Sequence, residues 1–349
     1  MAYRSLSQLG QPGSGRGHYP LLLRGNIQPM TTPITLYLKL TNGCPLSCSH
    51  CYLPELARKD HRVLGVDAME EGILNLLKGN NRNRPVNVIL HGGEPLLPGY
   101  CHLKDRIEVV EALLGDRLIG WSIQSSLVGL TRQIIELLAE HQFHVGTSYD
   151  NFRFQRHPNL LEPWGRQIAL LRGAGFVPGV SWTPGKDDDP QTVAATLMAH
   201  GFITTQIDRC IGYECPSNAE HAQLLQQMYE AQQKTGFVFG VIEAAKAVLK
   251  GHSADRWGTR CRRDFHVLGL DGEHHFCPDR SIHWRDNLFQ DRREAALRVT
   301  QCRECEWQPV CAGGCPITPL DDGSGECAGY RGFLNYLKAQ EGSSGKEVA

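Results

Sequence analysis

The sequence predicts an α/β fold: a mainly parallel sheet with crossover helices, followed by a small cysteine-rich module. Three observations lead there. Short apolar runs alternate with amphipathic stretches six times before residue 207, the pattern of β-then-α units. A loop carrying three cysteines follows the first apolar run directly. Seven of the 13 cysteines fall in the last ninety residues, where hairpins and loops offer little apolar core.

The strands expected are Ile34–Leu40, Val86–His91, Gly120–Gln124, His144–Ser148, Pro178–Trp182 and Phe202–Ile207. Between them the helices expected are Ala68–Leu77, Leu103–Leu114, Arg132–Glu140, Trp164–Arg172 and Thr192–His200. Six such units fit a doubly wound sheet or a partial barrel, and both place chemistry at the C-terminal ends of the strands. Residues 1–30, crowded with glycine, read as a flexible arm. The barrel-like unit is expected over 31–207. A helical bridge over 208–256 follows, with helices Ala219–Lys234 and Val241–Leu249. The cysteine-rich module is expected over 257–335 and a flexible tail over 336–349.

Bulk properties narrow the partners. The 349 residues are 41% apolar and 21% charged, with a formal net charge of -1, so no strong field draws the chain toward nucleic acid or an anionic membrane. The N-terminus lacks a signal-peptide core, and no apolar run reaches about 18 residues. The expected setting is cytoplasmic, with neither nucleic acid nor membrane as partner. There, 13 cysteines read as metal ligands before disulfides.

Cys44, Cys48 and Cys51 are spaced Cys-x3-Cys-x2-Cys right after the first strand. Three thiolates on one tight loop suit three corners of an iron–sulfur cube and leave its fourth iron open. Electron-transfer clusters usually close all four irons with protein ligands. Zinc is the competing reading, but His50 adjoins Cys51 and is poorly placed as a fourth ligand. The second strand ends in Gly92-Gly93-Glu94-Pro95, where two glycines allow close backbone approach and Glu94 adds a carboxylate at the same rim. Alone, this turn is common.

Together, the cysteine loop and the Gly92-Gly93-Glu94-Pro95 turn resemble the radical S-adenosylmethionine (SAM) enzymes. The resemblance implies a partial (β/α)6 barrel and a [4Fe–4S] cluster held by Cys44, Cys48 and Cys51, whose open iron binds SAM. His50 stands where the family usually has an aromatic residue. The turn residues Gly92, Gly93, Glu94 and Pro95 are implied cofactor contacts. So are Gln124 and Ser126 of Ser122-Ile123-Gln124-Ser125-Ser126, Ser148 of Ser148-Tyr149-Asp150, and Arg156, although its spacing is about two residues short of the family's. Asn151 replaces a family glycine. No specific catalytic base is placed: Asp150 is a rim carboxylate and a candidate, but its family position implies a cofactor or structural role.

Cysteines recur beyond residue 208. Cys210 and Cys215 are either buried apolar residues or ligands. Cys261 is followed by ten residues, Gly272, four residues and Cys277. Then come Cys302-x2-Cys305-x5-Cys311-x3-Cys315 and finally Cys327. Val267–Phe276 reads as a hairpin around Asp271-Gly272. Zinc ribbons also use Cys-x2-Cys pairs. The whole pattern resembles the SPASM extension of radical SAM enzymes, which implies two auxiliary [4Fe–4S] clusters. By position, one takes Cys302, Cys305, Cys311 and Cys327. The other takes Cys261, Cys277 and Cys315, with Asp255 where relatives carry a further cysteine. Its fourth iron is open, or held by Cys210, Cys215 or Asp255.

The resemblance implies reductive cleavage of SAM to a 5′-deoxyadenosyl radical, which abstracts hydrogen from a ribosomally made peptide. The outcome expected is an oxidative modification such as a cross-link. Alternatives on the same scaffold are a sulfatase-type formylglycine maturase and a small-molecule dehydrogenase or decarboxylase. The contrasting class is an iron–sulfur electron carrier or zinc-ribbon binding protein. A reductant such as flavodoxin or ferredoxin is implied. About thirty residues before the first strand are too few for a leader-binding domain, so a separate protein or the barrel itself is expected to present the leader.

Overall fold

The computed structural model describes residues 32–210, 215–251, 264–275, 277–278, 300–311, 314–315 and 318–344. The expected N-terminal arm, Asp255 and Cys261 lie outside the described residues. Among the described residues nine strands form one sheet: β1 (Ile34–Thr41), β2 (Val86–Gly92), β3 (Leu118–Ser125), β4 (His144–Tyr149), β5 (Gly179–Trp182), β6 (Thr204–Ile207), β7 (Val238–Phe239), β8 (Phe265–Leu268) and β9 (His274–His275). Their order is β7-β6-β5-β4-β3-β2-β1-β8-β9, and every neighbouring pair is parallel except β8 with β9.

One face of the sheet makes the core. Ile34, Leu36, Leu38 and Leu40 of β1, with Val86, Val88 and Leu90 of β2, are buried, alternating as a two-residue period requires. Helices cover them. Those between successive strands are α1 (Glu55–Arg58), α2 (Val66–Leu76), α3 (Tyr100–Leu114), α4 (Arg132–Glu140), α5 (Asn151–Arg156), α6 (Leu161–Gly173) and α7 (Pro190–Ala199). Helix α3 turns Leu103, Ile107, Val110 and Leu114 inward, the three-to-four-residue stripe of an amphipathic helix.

The opposite face is polar: Thr35, Tyr37 and Lys39 on β1, Asn87 and His91 on β2, Ser122 and Gln124 on β3, Ser148 on β4 and Ser181 on β5. Parallel strands covered on both faces read as continuous apolar runs. This alternation therefore marks a face that lines a concavity. The sheet also curls. Strands β1 and β6 are five places apart in the order, which in a flat sheet means about 24 Å. Yet Tyr37 of β1 and Asp208, one residue past β6, act on each other electrostatically.

The structure departs from expectation in four places. Helix α5 follows β4 directly, capped by the Asp150 carboxylate, which accepts from Arg153 N at 2.7 Å. The two-residue β7 adds a seventh parallel strand within the expected bridge, between α8 (Asn218–Thr235) and α9 (Gly240–Leu249). The hairpin around Gly272 forms as expected, with φ +77° at Gly272, but β8 also pairs in parallel with β1. The hairpin therefore extends the main sheet and covers an edge that would otherwise present unpaired backbone. Finally, the flexible tail expected from 336 is corrected. A short α10 (Gln308–Cys311) is followed by α11 (Arg331–Ser344), which buries Phe333, Leu334 and Leu337 against the core.

Helix α8 begins with a full capping box between Ser217 and Glu220 and carries the buried His221. Burial, then the nearby Arg209 charge, pushes its imidazole down to about 3. The native state thus favours the neutral ring. Its contribution is complete above the unfolded value near 6.5 and is lost as pH falls through that value toward about 3. Between pH 7 and pH 5 this group should cost about 2 kcal/mol of stability. Urea unfolding at both pH values checks this, with the His221→Leu variant expected to lose correspondingly less.

Candidate active site

The cysteine loop leaves β1 at the C-terminal rim and is held from below by α1. Cys44 N donates to Arg58 O at 3.0 Å, and Arg58 Nη1 donates to Cys48 O at 2.9 Å. The turn after β2 seats against the same loop. Gly93 N donates to Thr41 O at 2.7 Å, and Glu94 N donates to Gly43 O at 2.9 Å. Gly92 has φ +143°, and a Cβ there would overlap Thr41 O. A Cβ on Gly93 would overlap the carbonyl oxygens of Asn42 and Gly43. Both glycines let two backbone segments touch, and that contact fixes the loop.

Cys48 is buried, while Cys44 and Cys51 are partly so. Burial pushes the Cys44 thiol up to about 11, and Glu94, Cys48 and Cys51 add to this. Burial raises Cys48 as well; Arg153 opposes that rise, and Asp150 and Cys51 support it. Three thiols on one tight loop have the donor chemistry of an iron–sulfur ligand set.

Glu94, an expected cofactor contact, is tied to the turn after β3. Its carboxylate is buried, with Oε1 accepting from Ser125 Oγ at 2.7 Å and Leu96 N at 3.0 Å. Its Oε2 accepts from Ser126 N at 2.8 Å and from Ser126 Oγ. Burial raises its pKa, and these four hydrogen bonds hold the rise in check. Glu94 thus ties the turn after β2 to the turn after β3. Pro95 is buried behind it. On the concave face Gln124 Nε2 donates to Ser148 Oγ at 2.9 Å and to Ser181 Oγ at 3.3 Å, so β3, β4 and β5 share one polar chain.

Asp150 is corrected as the candidate base. It is fully buried, caps α5, and lies 3.2 Å from Arg153 Nη2 and 3.8 Å from His50 Nδ1. A carboxylate committed to a cap and an ion pair is placed to hold structure rather than to take a substrate proton. Arg156 lies in α5, and its side chain is outside the described set. The arginine found at the site is Arg153, which the sequence reading missed. The available signal was Asp150-x-x-Arg153, an i,i+3 pair at a helix start.

Asp208 was also missed. Enclosure by protein raises its carboxyl, with a Ser181 hydrogen bond opposing, although solvent still reaches the side chain. Burial, and then the Lys39 charge, push His91 down to about 4.

Cys210 and Cys215 form a disulfide, with Cα atoms 5.2 Å apart. Both sulfurs are consumed by that bond, so the expectation that either ligates iron is corrected. Of the C-terminal set, Cys277, Cys302, Cys305, Cys311, Cys315 and Cys327 form no disulfide. Cys315 and Cys327 both act on the Arg209 guanidinium, and Cys311 and Cys315 both act on the half-buried Tyr330. These three thiols therefore gather around one Arg–Tyr neighbourhood.

Residues 38–176, from β1 through α6, match the family model of the Radical SAM superfamily. This segment is a radical SAM domain. Two relatives match parts of the chain. An uncharacterized protein of Methanothermobacter thermautotrophicus is 33% identical over 111 residues, 32% of this chain. The uncharacterized protein sll1766 of Synechocystis is 26% identical over 169 residues, 46% of this chain. The chain spans 40% of the length of each of these two relatives. Among solved structures, anSMEcpe with bound AdoMet and Cp18Cys peptide superposes with a TM-score of 0.66 at 16% identity, over 91% of this chain and all of that one. Streptococcus suis SuiB bound to the precursor peptide SuiA gives 0.53 at 16% identity, over 81% of this chain and 72% of that one. At these identities the likeness is one of fold. No helix of the described residues is long and apolar enough to cross a membrane.

Proposed function

We propose that the protein is a radical SAM peptide maturase. The observation that carries this reading is the contact between the Cys44/Cys48/Cys51 loop and the Gly92–Pro95 turn, at the mouth of a polar concave face. Cys44, Cys48 and Cys51 would hold a [4Fe–4S] cluster, which when bound with SAM supplies reductive cleavage to a hydrogen-abstracting radical. The backbone of Gly92 and Gly93 and the Gln124 and Ser126 side chains would take up SAM. Ser148 and Arg156 complete that set. Other polar groups on the concave face, Ser181 and Asp208 among them, would orient a peptide and present its target carbon.

The C-terminal thiols would hold auxiliary clusters, Cys302, Cys305, Cys311 and Cys327 one of them, and Cys261, Cys277 and Cys315 the other. With Cys210 and Cys215 joined to each other, the second set keeps an open position unless Asp255 fills it. The product expected is an oxidative change such as a cross-link, since auxiliary clusters can accept an electron. A cytoplasmic setting and a flavodoxin or ferredoxin as reductant belong to the same reading. The fold likeness to two structures with bound peptides supports a peptide partner.

The test is anaerobic reconstitution with iron and sulfide. Cys44→Ala is expected to lose one cluster's iron, about four per chain, and all SAM cleavage. With a candidate precursor peptide and reductant, 5′-deoxyadenosine and a peptide mass change are expected. Zinc bound in place of iron and sulfide would overturn the reading.

A further inference from the structure

Arg153 brings a permanent positive charge to the Cys48 corner of the loop. Its side chain is only 10% exposed. Nη1 donates to Ser148 O at 2.9 Å, Nη2 lies 3.2 Å from Asp150 Oδ2, and the guanidinium shares a hydrogen bond with the Cys48 side chain. Its Nε–H is buried and has no partner among the described residues. A buried, unpaired guanidinium N–H is costly and calls for an acceptor. The guanidinium already meets the Cys48 side chain, so the acceptor that fits is a sulfur of whatever Cys48 ligates.

We propose that Arg153 is a positioning residue for the Cys48 corner and raises the reduction potential of the cluster bound there. The inference rests on the cluster reading above. A thiolate-ligated cluster is anionic and gains one more negative charge on reduction, so a fixed cation and an N–H···S bond favour the reduced state. Asp150 opposes this by partly neutralising the guanidinium, yet it also holds the fork in place. The sequence hides the device, because Arg153 and Cys48 meet only through the closure of β4 on β1.

The experiment is a redox titration followed by electron paramagnetic resonance, without SAM, on reconstituted wild type, Arg153→Met and Arg153→Lys. The relevant signal is the one that Cys44→Ala removes. Arg153→Met is expected to keep its iron but to show an approximately tenfold lower ratio of reduced to oxidised cluster at a fixed potential, roughly 59 mV. Arg153→Lys keeps the charge but not the fork and is expected to fall between. A methionine variant with loaded cluster and wild-type potential overturns the proposal, even if its SAM affinity falls, which would make Arg153 a carboxylate anchor instead. Should the methionine variant load no iron, the lysine variant decides: a downward shift supports the assignment, and a wild-type potential overturns it. A wild-type protein that binds no iron at these thiols overturns the cluster reading and this proposal together, whereas an unshifted potential overturns this one alone.

Discussion

Gly93→Ala is expected to empty the Cys44/Cys48/Cys51 site while leaving the helices intact. The added methyl would overlap two carbonyl oxygens, and it would stand 2.7 Å from the Asn42 carbonyl carbon. All three are backbone atoms, so no side chain can swing aside. The two hydrogen bonds that seat the turn, Gly93 N to Thr41 O and Glu94 N to Gly43 O, block the alternative of moving the turn alone. The loop itself must shift. Overpacking of this kind costs about 1–3 kcal/mol of stability, tolerable for a large domain. The functional cost is larger, because misplacement of about 1 Å at a reacting centre lowers rates by roughly a hundredfold. Iron content and SAM cleavage should both collapse, with little change in circular dichroism. Gly65→Ala is the control: its Cβ would meet nothing within 4 Å and its φ is ordinary. Equal iron loading in the Gly93 and Gly65 variants would refute the packing argument.

The parts of this site visible in the sequence are those that depend on neighbours along the chain. Cys44, Cys48 and Cys51 share one loop, and Gly92 through Pro95 share one turn, so spacing alone announces them. The same holds for β1 through β6, whose apolar face repeats every second residue. Arg153 and Asp208 did not announce themselves. Their meaning comes from the curl of the sheet, which brings β4 to the β1 loop and the end of β6 across to Tyr37. Glu94 was visible as a residue, but the direction of its carboxylate depends on Ser125 and Ser126, a strand away. Helix α11 was hidden for another reason. Its sequence is mostly polar and ends in Gly and Ser, and only Phe333, Leu334 and Leu337 carry the burial. The parallel pairing of β8 with β1 required knowing that β1 would otherwise form an edge.

Removing the Glu94 carboxylate has the second large expected effect, and the two obvious variants separate its causes. Four donors converge on it: two hydroxyls, from Ser125 and Ser126, and two backbone N–H groups, from Leu96 and Ser126. In Glu94→Gln one oxygen becomes an NH2 group. A serine hydroxyl can rotate and accept from it, but a backbone N–H cannot. Whichever way the amide is turned, one N–H faces another donor, at a cost of about 1–3 kcal/mol. In Glu94→Ala all four donors lose their acceptor inside a buried site, and about 3–5 kcal/mol is expected. Both changes loosen the tie between the turns after β2 and β3, where Leu127 holds φ +66° and depends on its surroundings. SAM affinity should therefore fall even though the carboxylate faces inward. A loss of about 10–100-fold is expected, the range seen when a supporting partner rather than a ligand is removed. Glu94→Gln should weaken binding less than Glu94→Ala, in step with urea stability. A direct ligand would behave differently, with Glu94→Gln losing as much affinity as Glu94→Ala while unfolding like the wild type.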